Sequence, residues 1–297
     1  MEDKLETLKN IVLTNSGGRL GDRLGIMDTP VHNLKVFRRE EPTGMEKYFC
    51  ASSCVMVLNG SKEMLFAGER FSCVPGHYMI MCTEIPVNGR IIEASPQSPL
   101  IGILVSLDRD ILASLIYETS LQNRAAGTAK YILGAMADDS IIDPFLRLAL
   151  LIGKPEEEQR IMSPIILREL YYRVLSGPLG SGLRAMFTRD SGSWQIAKAI
   201  SLLKEKYRQK LNIETLAQKV GMSPSSFYRT FRNITHTSPL QYQKMLRLTE
   251  AQRMMIAERC DAATASYRVG YESPAQFSRE YKRMFGAPPR EDTRNLA

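Results

Sequence analysis

The segment Val269-Gly270-Tyr271-Glu272-Ser273-Pro274 decides the fold of the C-terminal third, because it repeats an earlier part of the chain. Val220-Gly221-Met222-Ser223-Pro224 has the same pattern with one residue fewer after the glycine. Beyond these segments three residues recur 50 positions later: Phe227 as Phe277, Phe231 as Tyr281 and Pro239 as Pro289. Such self-similarity indicates one supersecondary unit that is used twice.

Each copy has the pattern of a helix, a turn and a second helix. Gly221 and Gly270 allow the chain to turn with a positive φ angle. Ser223-Pro224 and Ser273-Pro274 each predict an N-cap followed by a proline in the first turn of a helix. The sequence therefore predicts two helix-turn-helix units, joined by one long helix over Pro239–Glu258.

The second helix of each unit combines an aromatic face with a polar one. Helical spacing predicts that Phe227, Phe231 and Ile234 face inward. The outward residues are Ser225, Tyr228, Arg229 and Arg232 in the first unit and Ala275, Gln276, Ser278, Arg279 and Lys282 in the second. In the major groove arginine can bind guanine, and glutamine adenine, through paired hydrogen bonds. The pattern predicts two helices that read double-stranded DNA in adjacent grooves, about 34 Å apart.

Positive charge is concentrated in the same third. Residues from Ser193 onward contain 18 Lys and Arg against 9 Asp and Glu, whereas the rest of the chain contains 21 against 23. The net charge of +7 therefore arises entirely from the C-terminal part. This asymmetry favours a polyanionic partner, most simply nucleic acid. On charge alone, a solvated basic surface remains the alternative.

Short β segments separated by turns occupy residues 33–107. Asn59-Gly60 predicts a hairpin between Ser53–Leu58 and Glu63–Phe66. The apolar run Leu100–Leu107 predicts a strand that is buried on both faces. Short strands at this spacing predict a small antiparallel barrel or sandwich.

Helices are expected around these strands. A first helix is expected over Glu2–Asn15, followed by a glycine-rich connection. Asp108 predicts the cap of Arg109–Leu121, Asp143-Pro144 the start of Pro144–Ile152, and Ser163-Pro164 the start of Ile165–Leu175. The apolar stripe of the last helix is expected to pack on the barrel, with a dimer helix as the alternative: Ile166, Leu167, Leu170, Tyr171 and Val174. Gly177–Gly192 is rich in Gly and Ser and predicts a hinge, with a short helix expected over Leu183–Phe187.

These elements suggest three parts. Residues 1–158 are expected to form a regulatory barrel domain with helices, residues 159–192 linker helices and a hinge, and residues 193–297 a DNA-binding domain. The fold class is therefore predicted to be α+β. No apolar stretch is long enough for a membrane span, and the N-terminus does not resemble a secretory signal, so a cytoplasmic protein without membrane contact is expected.

The five cysteines and three histidines have no metal-binding spacing, so neither a metal nor another cofactor is expected. Four cysteines fall within the predicted barrel: Cys50, Cys54, Cys73 and Cys82. If Cys50–Leu58 is one strand, Cys50 and Cys54 point to the same face. One hypothesis is that such a thiol senses an electrophile or oxidant. The alternative is that these cysteines are small buried apolar residues.

The chain resembles the AraC/XylS family of bacterial transcription regulators through residues 269–289 and 238–248. Its N-terminal half resembles the branch with a cupin-like regulatory barrel, through Pro42-Thr43 and Pro86-Val87-Asn88-Gly89-Arg90. The resemblance implies an antiparallel cupin-like barrel followed by an all-α domain with two helix-turn-helix units. It also implies binding of promoter DNA and recruitment of RNA polymerase.

The resemblance also assigns roles to residues. It places base-reading positions at Ser225, Tyr228, Arg229, Gln276 and Arg279. We expect phosphate contacts from Ser223, Arg232, Ser273, Lys282 and Arg283. Two residues depart from the family pattern. Ser266 stands where alanine is usual, which is expected to loosen packing slightly, and Gln252 stands where arginine is common, which removes a phosphate or polymerase contact.

The predicted function is a sequence-specific transcription regulator without enzymatic activity, controlled by a small molecule or electrophile bound in the barrel. An activator is preferred to a repressor, and both a monomer and a homodimer remain open. One alternative is a DNA-modifying or repair enzyme with a barrel cysteine as methyl acceptor, which lacks an activating base in this sequence. Another is a cupin-type enzyme fused to the DNA-binding module, which the histidine count disfavours.

Overall fold

The computed structural model describes residues 2–17, 24–119, 130–187 and 191–296. Contacts divide the chain into two compact units, one formed by the residues up to Ser191 except Glu46–Tyr48, and the other by Glu46–Tyr48 and the chain from Gly192 onward. Within the described ranges, no helix has the length and apolar character needed to cross a membrane.

Up to Phe187, the residues that the structure describes form ten strands and five α-helices. The strands are β1 (Ile26–Asp28), β2 (Leu34–Arg39), β3 (Glu46–Cys50), β4 (Ser53–Asn59), β5 (Ser61–Phe66), β6 (Glu69–Cys73), β7 (His77–Met81), β8 (Ile85–Glu93), β9 (Leu100–Ser106) and β10 (Ile132–Met136). The helices are α1 (Glu2–Ser16), α2 (Arg109–Glu118), α3 (Asp139–Leu150), α4 (Glu156–Ser176) and α5 (Gly180–Phe187), and a 3-10 turn follows α3 at Leu151–Gly153.

The strands form two sheets. The larger sheet has the order β1-β2-β9-β4-β7-β10, and the smaller one the order β3-β8-β5-β6. Neighbouring strands run antiparallel, for example β2 with β9 and β5 with β6. Together with a helical second unit, this arrangement confirms the predicted α+β class.

The central strands of the larger sheet are buried on both faces. In β9, Ile101, Ile103 and Val105 are fully buried in a core shared with the helices. Leu100 and Leu104 alternate with them and are buried on the opposite face. The continuous apolar run of β9 was predicted to have this property, and the prediction is confirmed.

The predicted hairpin at Asn59-Gly60 is wrong. The strands on either side of it lie in different sheets, since β4 pairs with β7 and β9 whereas β5 pairs with β6 and β8. Gly60 has φ +72° at this change of sheet, and a Cβ atom there would lie 2.5 Å from the carbonyl oxygen of Glu93. The actual hairpin joins β5 to β6 through Ala67 and Gly68, which both have positive φ angles. A turn signal shows where the chain bends but not which strands pair.

Two predicted helix starts are also wrong. α3 begins at Asp139, where the carboxylate of Asp138 accepts hydrogen bonds from two backbone N–H groups, and Pro144 lies inside the helix. α4 begins at Glu156, and Pro164 lies in its interior. Each proline removes one backbone hydrogen bond. Burial of the apolar faces of both helices offsets this loss, since these faces form part of the main core.

Helices α4 and α5 are integral to the first unit. The stripe of α4 predicted to pack on the barrel is buried in the main core, and the Tyr171 hydroxyl donates to the carbonyl oxygen of Ser106 at 2.7 Å. Where a hinge was expected, α5 buries Leu183, Met186 and Phe187 in the same core. The last residues of that hinge before Ser191, and the end of the helix predicted to reach Leu121, lie outside the described residues.

From Gly192 onward, the described residues of the second unit form helices joined by turns. Its helices are α6 (Gly192–Lys206), α7 (Ile213–Lys219), α8 (Pro224–Thr235), α9 (Pro239–Ala257), α10 (Ala262–Arg268), α11 (Pro274–Phe285) and α12 (Pro289–Leu296). The long connecting helix predicted over Pro239–Glu258 corresponds to α9.

Candidate nucleic-acid interface

The first helix-turn-helix unit consists of α7 and α8. Gly221 follows α7 with φ +73°, as its position in the repeat predicts. Ser223 caps α8, because its Oγ accepts a hydrogen bond from the Ser226 N–H at 3.3 Å. Pro224 occupies the first turn. The local sequence thus fixes both the turn and the start of the second helix.

Helix α8 has the two faces that its sequence predicts. Phe227 and Phe231 are fully buried, with ring centroids 5.5 Å apart, and Phe231 meets Tyr242 of α9 edge-on at the same distance. On the other side, the predicted base-reading and phosphate residues are exposed: Ser223, Ser225, Tyr228, Arg229 and Arg232. The buried rings hold the helix on its core and leave this polar face open to a partner.

The second unit consists of α10 and α11 and repeats this construction. Ser273 Oγ accepts from the Gln276 N–H at 3.4 Å, and Phe277 and Tyr281 are fully buried. Gln276, Arg279, Lys282 and Arg283 are exposed, while Ser273 is half-buried. All the predicted polar positions of this unit therefore lie on α11 or at its N-cap.

The turn of the second unit is more crowded than the turn of the first. Gly270 has φ +92°, and a Cβ atom there would lie 2.3 Å from the carbonyl oxygen of Arg208. At Gly221 the nearest atom would be Gln195 Nε2, at 3.8 Å. Both glycines are required by backbone conformation, but only Gly270 is also required by space.

The cations on the two predicted reading faces have no ionic partner in the part of the chain that the structure describes. Among the described residues, none accepts a hydrogen bond or ion pair from five exposed side chains: Arg229, Arg232, Arg279, Lys282 and Arg283. Other cations of the same unit are paired, as in Arg253 with Glu250 and Arg268 with Glu258. The unpaired charges on α8 and α11 are therefore available to an anionic ligand.

Glu280 organises one end of the second unit and was missed by sequence analysis. Its Oε1 accepts from Lys244 Nζ at 2.7 Å and from Gln276 Nε2 at 3.2 Å, and its Oε2 accepts from the Tyr271 hydroxyl at 2.8 Å. Burial raises the pKa of Glu280, but these three hydrogen bonds outweigh it and lower the pKa below its ordinary value. The spacing of Gln276 and Glu280 is a signal for this contact, whereas Lys244 is 36 positions away.

Arg247 of α9 ties the turn of the second unit to the end of α6. Its guanidinium donates to the carbonyl oxygens of Tyr207 at 2.7 Å and Gly270 at 2.8 Å, and also to those of Arg208 and Gln209. Burial lowers the pKa of Arg247. Because its guanidinium donates to four carbonyl oxygens, Arg247 stabilises the second unit and does not belong to the free basic surface.

The two departures from the family pattern are both buried. Gln252 is 4% exposed and donates to Asp292 Oδ2 at 2.5 Å, and that oxygen also accepts from the Tyr281 hydroxyl at 2.7 Å. In this chain Gln252 therefore makes a buried polar contact within the second unit. Ser266 is fully buried, and its hydroxyl donates to the carbonyl oxygen of Ala263 at 2.8 Å.

The four barrel cysteines do not form a common surface. Cys50 ends β3 and Cys54 lies in β4, so the expectation that both belong to one strand is wrong. All four are buried. Burial raises the pKa of Cys50 and Cys82 to about 12, and it also raises the pKa of Cys54 and Cys73. Because the thiolate is the reactive form, this environment favours their role as small apolar residues.

Taken together, an antiparallel β domain in one unit and two capped helix-turn-helix motifs in the other define the class of two-domain helix-turn-helix proteins. The family model for the AraC-type transcriptional regulator N-terminus matches residues 30–181, about half of the chain. The helix-turn-helix domain model matches residues 216–295. The chain belongs to the AraC-type transcriptional regulators.

Curated relatives match mainly through one part of the chain. The regulator AlkR of Acinetobacter baylyi is 28% identical over 34% of this chain, and the RCS-specific activator RclR of Escherichia coli is 36% identical over 29%. These matches span only about a third of each relative's length, 35% and 31%. The lactose operon transcription activator of Staphylococcus xylosus is 26% identical over 77% of this chain and 79% of its own length.

A solved structure shares the fold over most of the chain. ToxT from Vibrio cholerae, crystallised with an unsaturated fatty acid, superimposes with a TM-score of 0.62. The superposition covers 88% of this chain and 93% of ToxT at 12% sequence identity. At this identity the similarity concerns the fold alone.

Proposed function

We propose that this protein is a transcription regulator that binds double-stranded promoter DNA by inserting α8 and α11 into two adjacent major grooves. The observation that carries the proposal is the pair of exposed arginine faces, which are unpaired among the described residues and lie opposite a buried aromatic face on each capped helix. A helix of this kind fits the major groove, and its free guanidinium groups can bind guanine edges.

The exposed residues have distinct roles in this proposal. Ser225, Tyr228 and Arg229 contact bases in one groove, and Gln276 and Arg279 contact bases in the other. The phosphate contacts come from Ser223, Arg232, Ser273, Lys282 and Arg283. The two cap serines accept an N–H bond through Oγ and retain a hydroxyl proton that can be donated to phosphate.

A selection of bound sequences from random duplexes tests this function. The wild type should enrich a site with two conserved blocks about one helical turn apart. Arg229→Ala and Arg279→Ala should each weaken binding by about 1–3 kcal/mol and relax preference in one block only. Arg290→Ala removes the same charge from the exposed surface of α12 and serves as the control. Equal losses in all three variants, or no enriched sequence, would contradict the proposal.

The first unit is proposed to sense a small molecule that controls this binding. It contains a cavity of about 590 Å³, lined in part by β6, β7, β10 and the start of α5. His77 Nδ1 and the Tyr78 hydroxyl, from two residues that line it, are buried and have no hydrogen-bond partner among the described residues. A volume of this size and a mixed lining suit a small ligand with both apolar and polar groups.

A compound screen by thermal unfolding tests this sensing role. A ligand should raise the Tm of the wild type and change DNA affinity, and Ala135→Trp should abolish both effects by filling the cavity. An unchanged response in Ala135→Trp would place the ligand elsewhere. The buried thiols favour such a non-covalent effector over an electrophile, and their raised pKa values also disfavour a methyl-acceptor enzyme.

The proposal also covers the location of the protein, its effect on transcription and its oligomeric state. The regulator acts in the cytoplasm as an activator that contacts RNA polymerase, without enzymatic activity. Two reading helices on one chain allow a monomer to bind DNA, and a homodimer remains compatible with the same site.

A further inference from the structure

We infer that Glu280 is a positioning residue that holds the Gln276 amide in the orientation needed to read an adenine. This inference rests on the proposed DNA-binding function. Gln276 and Glu280 are one helical turn apart on α11, and the Gln276 Nε2 donates to Glu280 Oε1 at 3.2 Å. An exposed glutamine would otherwise sample several rotamers, and ordering it on DNA would reduce affinity.

The carboxylate that holds Gln276 is itself fixed from outside α11. Lys244 of α9 donates to Glu280 Oε1 at 2.7 Å, and the Tyr271 hydroxyl in the turn donates to Oε2 at 2.8 Å. The Glu280 side chain is only 14% exposed. The Tyr271 ring also packs edge-on against Phe277, with centroids 5.4 Å apart. These contacts therefore fix the Gln276 side chain relative to the core of the second unit.

The contact leaves Gln276 able to recognise adenine. A glutamine amide has two N–H donors and one carbonyl oxygen, and Glu280 occupies one donor. The remaining N–H and the oxygen match the N7 acceptor and the N6 donor that adenine presents in the major groove. Lys244 neutralises the carboxylate, so Glu280 adds no unpaired negative charge beside the DNA backbone.

The first unit has no counterpart of this arrangement. Fifty positions earlier, α8 carries Ser226 and Thr230 in place of Gln276 and Glu280. These side chains are too short to form the same bridge to α9. The positioning device therefore belongs to the second unit alone, and its effect is confined to one part of the binding site.

Base preferences of variants, measured on the site selected by the wild type, test the inference. Gln276→Ala should remove the preference for one A·T pair, and Glu280→Ala should reduce the same preference about two- to tenfold. The double variant should discriminate no worse than Gln276→Ala alone, because both act through one contact. Glu280→Gln keeps an acceptor oxygen and should retain part of the preference.

A second readout separates positioning from a structural role. Glu280→Ala frees Lys244, so the slope of log Kd against log salt should steepen by about 1. Tyr281→Phe is the control. It changes a residue on the same helix as Glu280 and removes the hydrogen bond from α11 to Asp292 of α12, but it leaves the contacts of Glu280 in place. Circular dichroism melting shows whether each variant is folded. If Glu280→Ala does not fold, the isosteric Glu280→Gln tests the same contact.

Three outcomes would overturn the inference while leaving DNA binding intact. In the first, the preference for the A·T pair is kept in Glu280→Ala but lost in Gln276→Ala. In the second, it is kept in Gln276→Ala. In the third, it falls as much in Tyr281→Phe as in Glu280→Ala. Failure of the wild type to select any sequence would instead refute the proposed function.

Discussion

The two helix-turn-helix units share a pattern but differ in how firmly each is tied to its surroundings. In the second unit, Arg247 binds the carbonyl oxygen of Gly270, and Lys244 binds Glu280. In the first unit, the carbonyl oxygen of Gly221 accepts one long hydrogen bond from the described side chains, from Gln195 Nε2 at 3.5 Å. The repeated residues therefore define the shape of each unit, whereas residues outside the repeat decide its rigidity. We expect the second unit to be preorganised and the first to adjust more easily on binding.

Alanine at the two turn glycines should give the largest contrast. Gly221→Ala introduces only the cost of a left-handed residue, about 1 kcal/mol. Gly270→Ala has the same cost, and its Cβ atom also lies 2.3 Å from the carbonyl oxygen of Arg208, so the chain must move. We expect a total of roughly 3 kcal/mol. Urea unfolding of the full chain measures both values, and equal costs would show that the two turns are equally tolerant.

Removal of Arg247 should have the next largest effect. Arg247→Ala leaves the carbonyl groups of Tyr207 and Gly270 without their charged donor and should destabilise the second unit by roughly 2 kcal/mol. Arg253→Ala is the matched control on the same helix, because that arginine is 51% exposed and its ion pairs contribute less than about 1 kcal/mol. Backbone hydrogen exchange should show reduced protection around Gly270 and unchanged protection around Gly221. Uniform loss across both units would contradict the proposed difference in attachment.

The features that sequence analysis predicted correctly depend on neighbours in the chain. The positive φ angles of Gly221 and Gly270, the caps at Ser223 and Ser273, and the buried rings of α8 and α11 all follow from a few adjacent residues. Because these signals occur twice, each copy supports the other. Local spacing alone is therefore enough to assign the buried and exposed faces of the proposed DNA-binding helices.

The features that sequence analysis missed depend on distant contacts. Asn59-Gly60 marks a bend, but the pairing of β4 with β9 across more than 40 residues decides that it is no hairpin. Pro164 lies inside α4, because the apolar face of this helix from Ile166 to Leu175 is buried in the main core and stabilises it. Glu280 binds Lys244, which is 36 positions away, and Arg247 binds carbonyl groups that lie 23 to 40 positions away. No periodicity or motif reports such contacts.

The pH dependence of stability should show the smallest difference between the two units. Hydrogen bonds from Lys244, Tyr271 and Gln276 hold the pKa of Glu280 below the ordinary value of 4.5. The unfolded chain therefore binds this proton at a higher pH than the folded chain. The stabilisation is complete above the ordinary pKa of the unfolded chain and is lost as the pH falls through the folded pKa.

Glu280→Gln lacks this titration and already lacks the ion pair with Lys244. The Tm advantage of the wild type over Glu280→Gln, roughly 1–3 °C near pH 6, should therefore shrink towards pH 3. Thr230→Val at the equivalent position of the first unit has no titrating group and should show a Tm difference that is independent of pH. A constant advantage for the wild type across this range would mean that the Glu280 carboxylate is not stabilised by its partners.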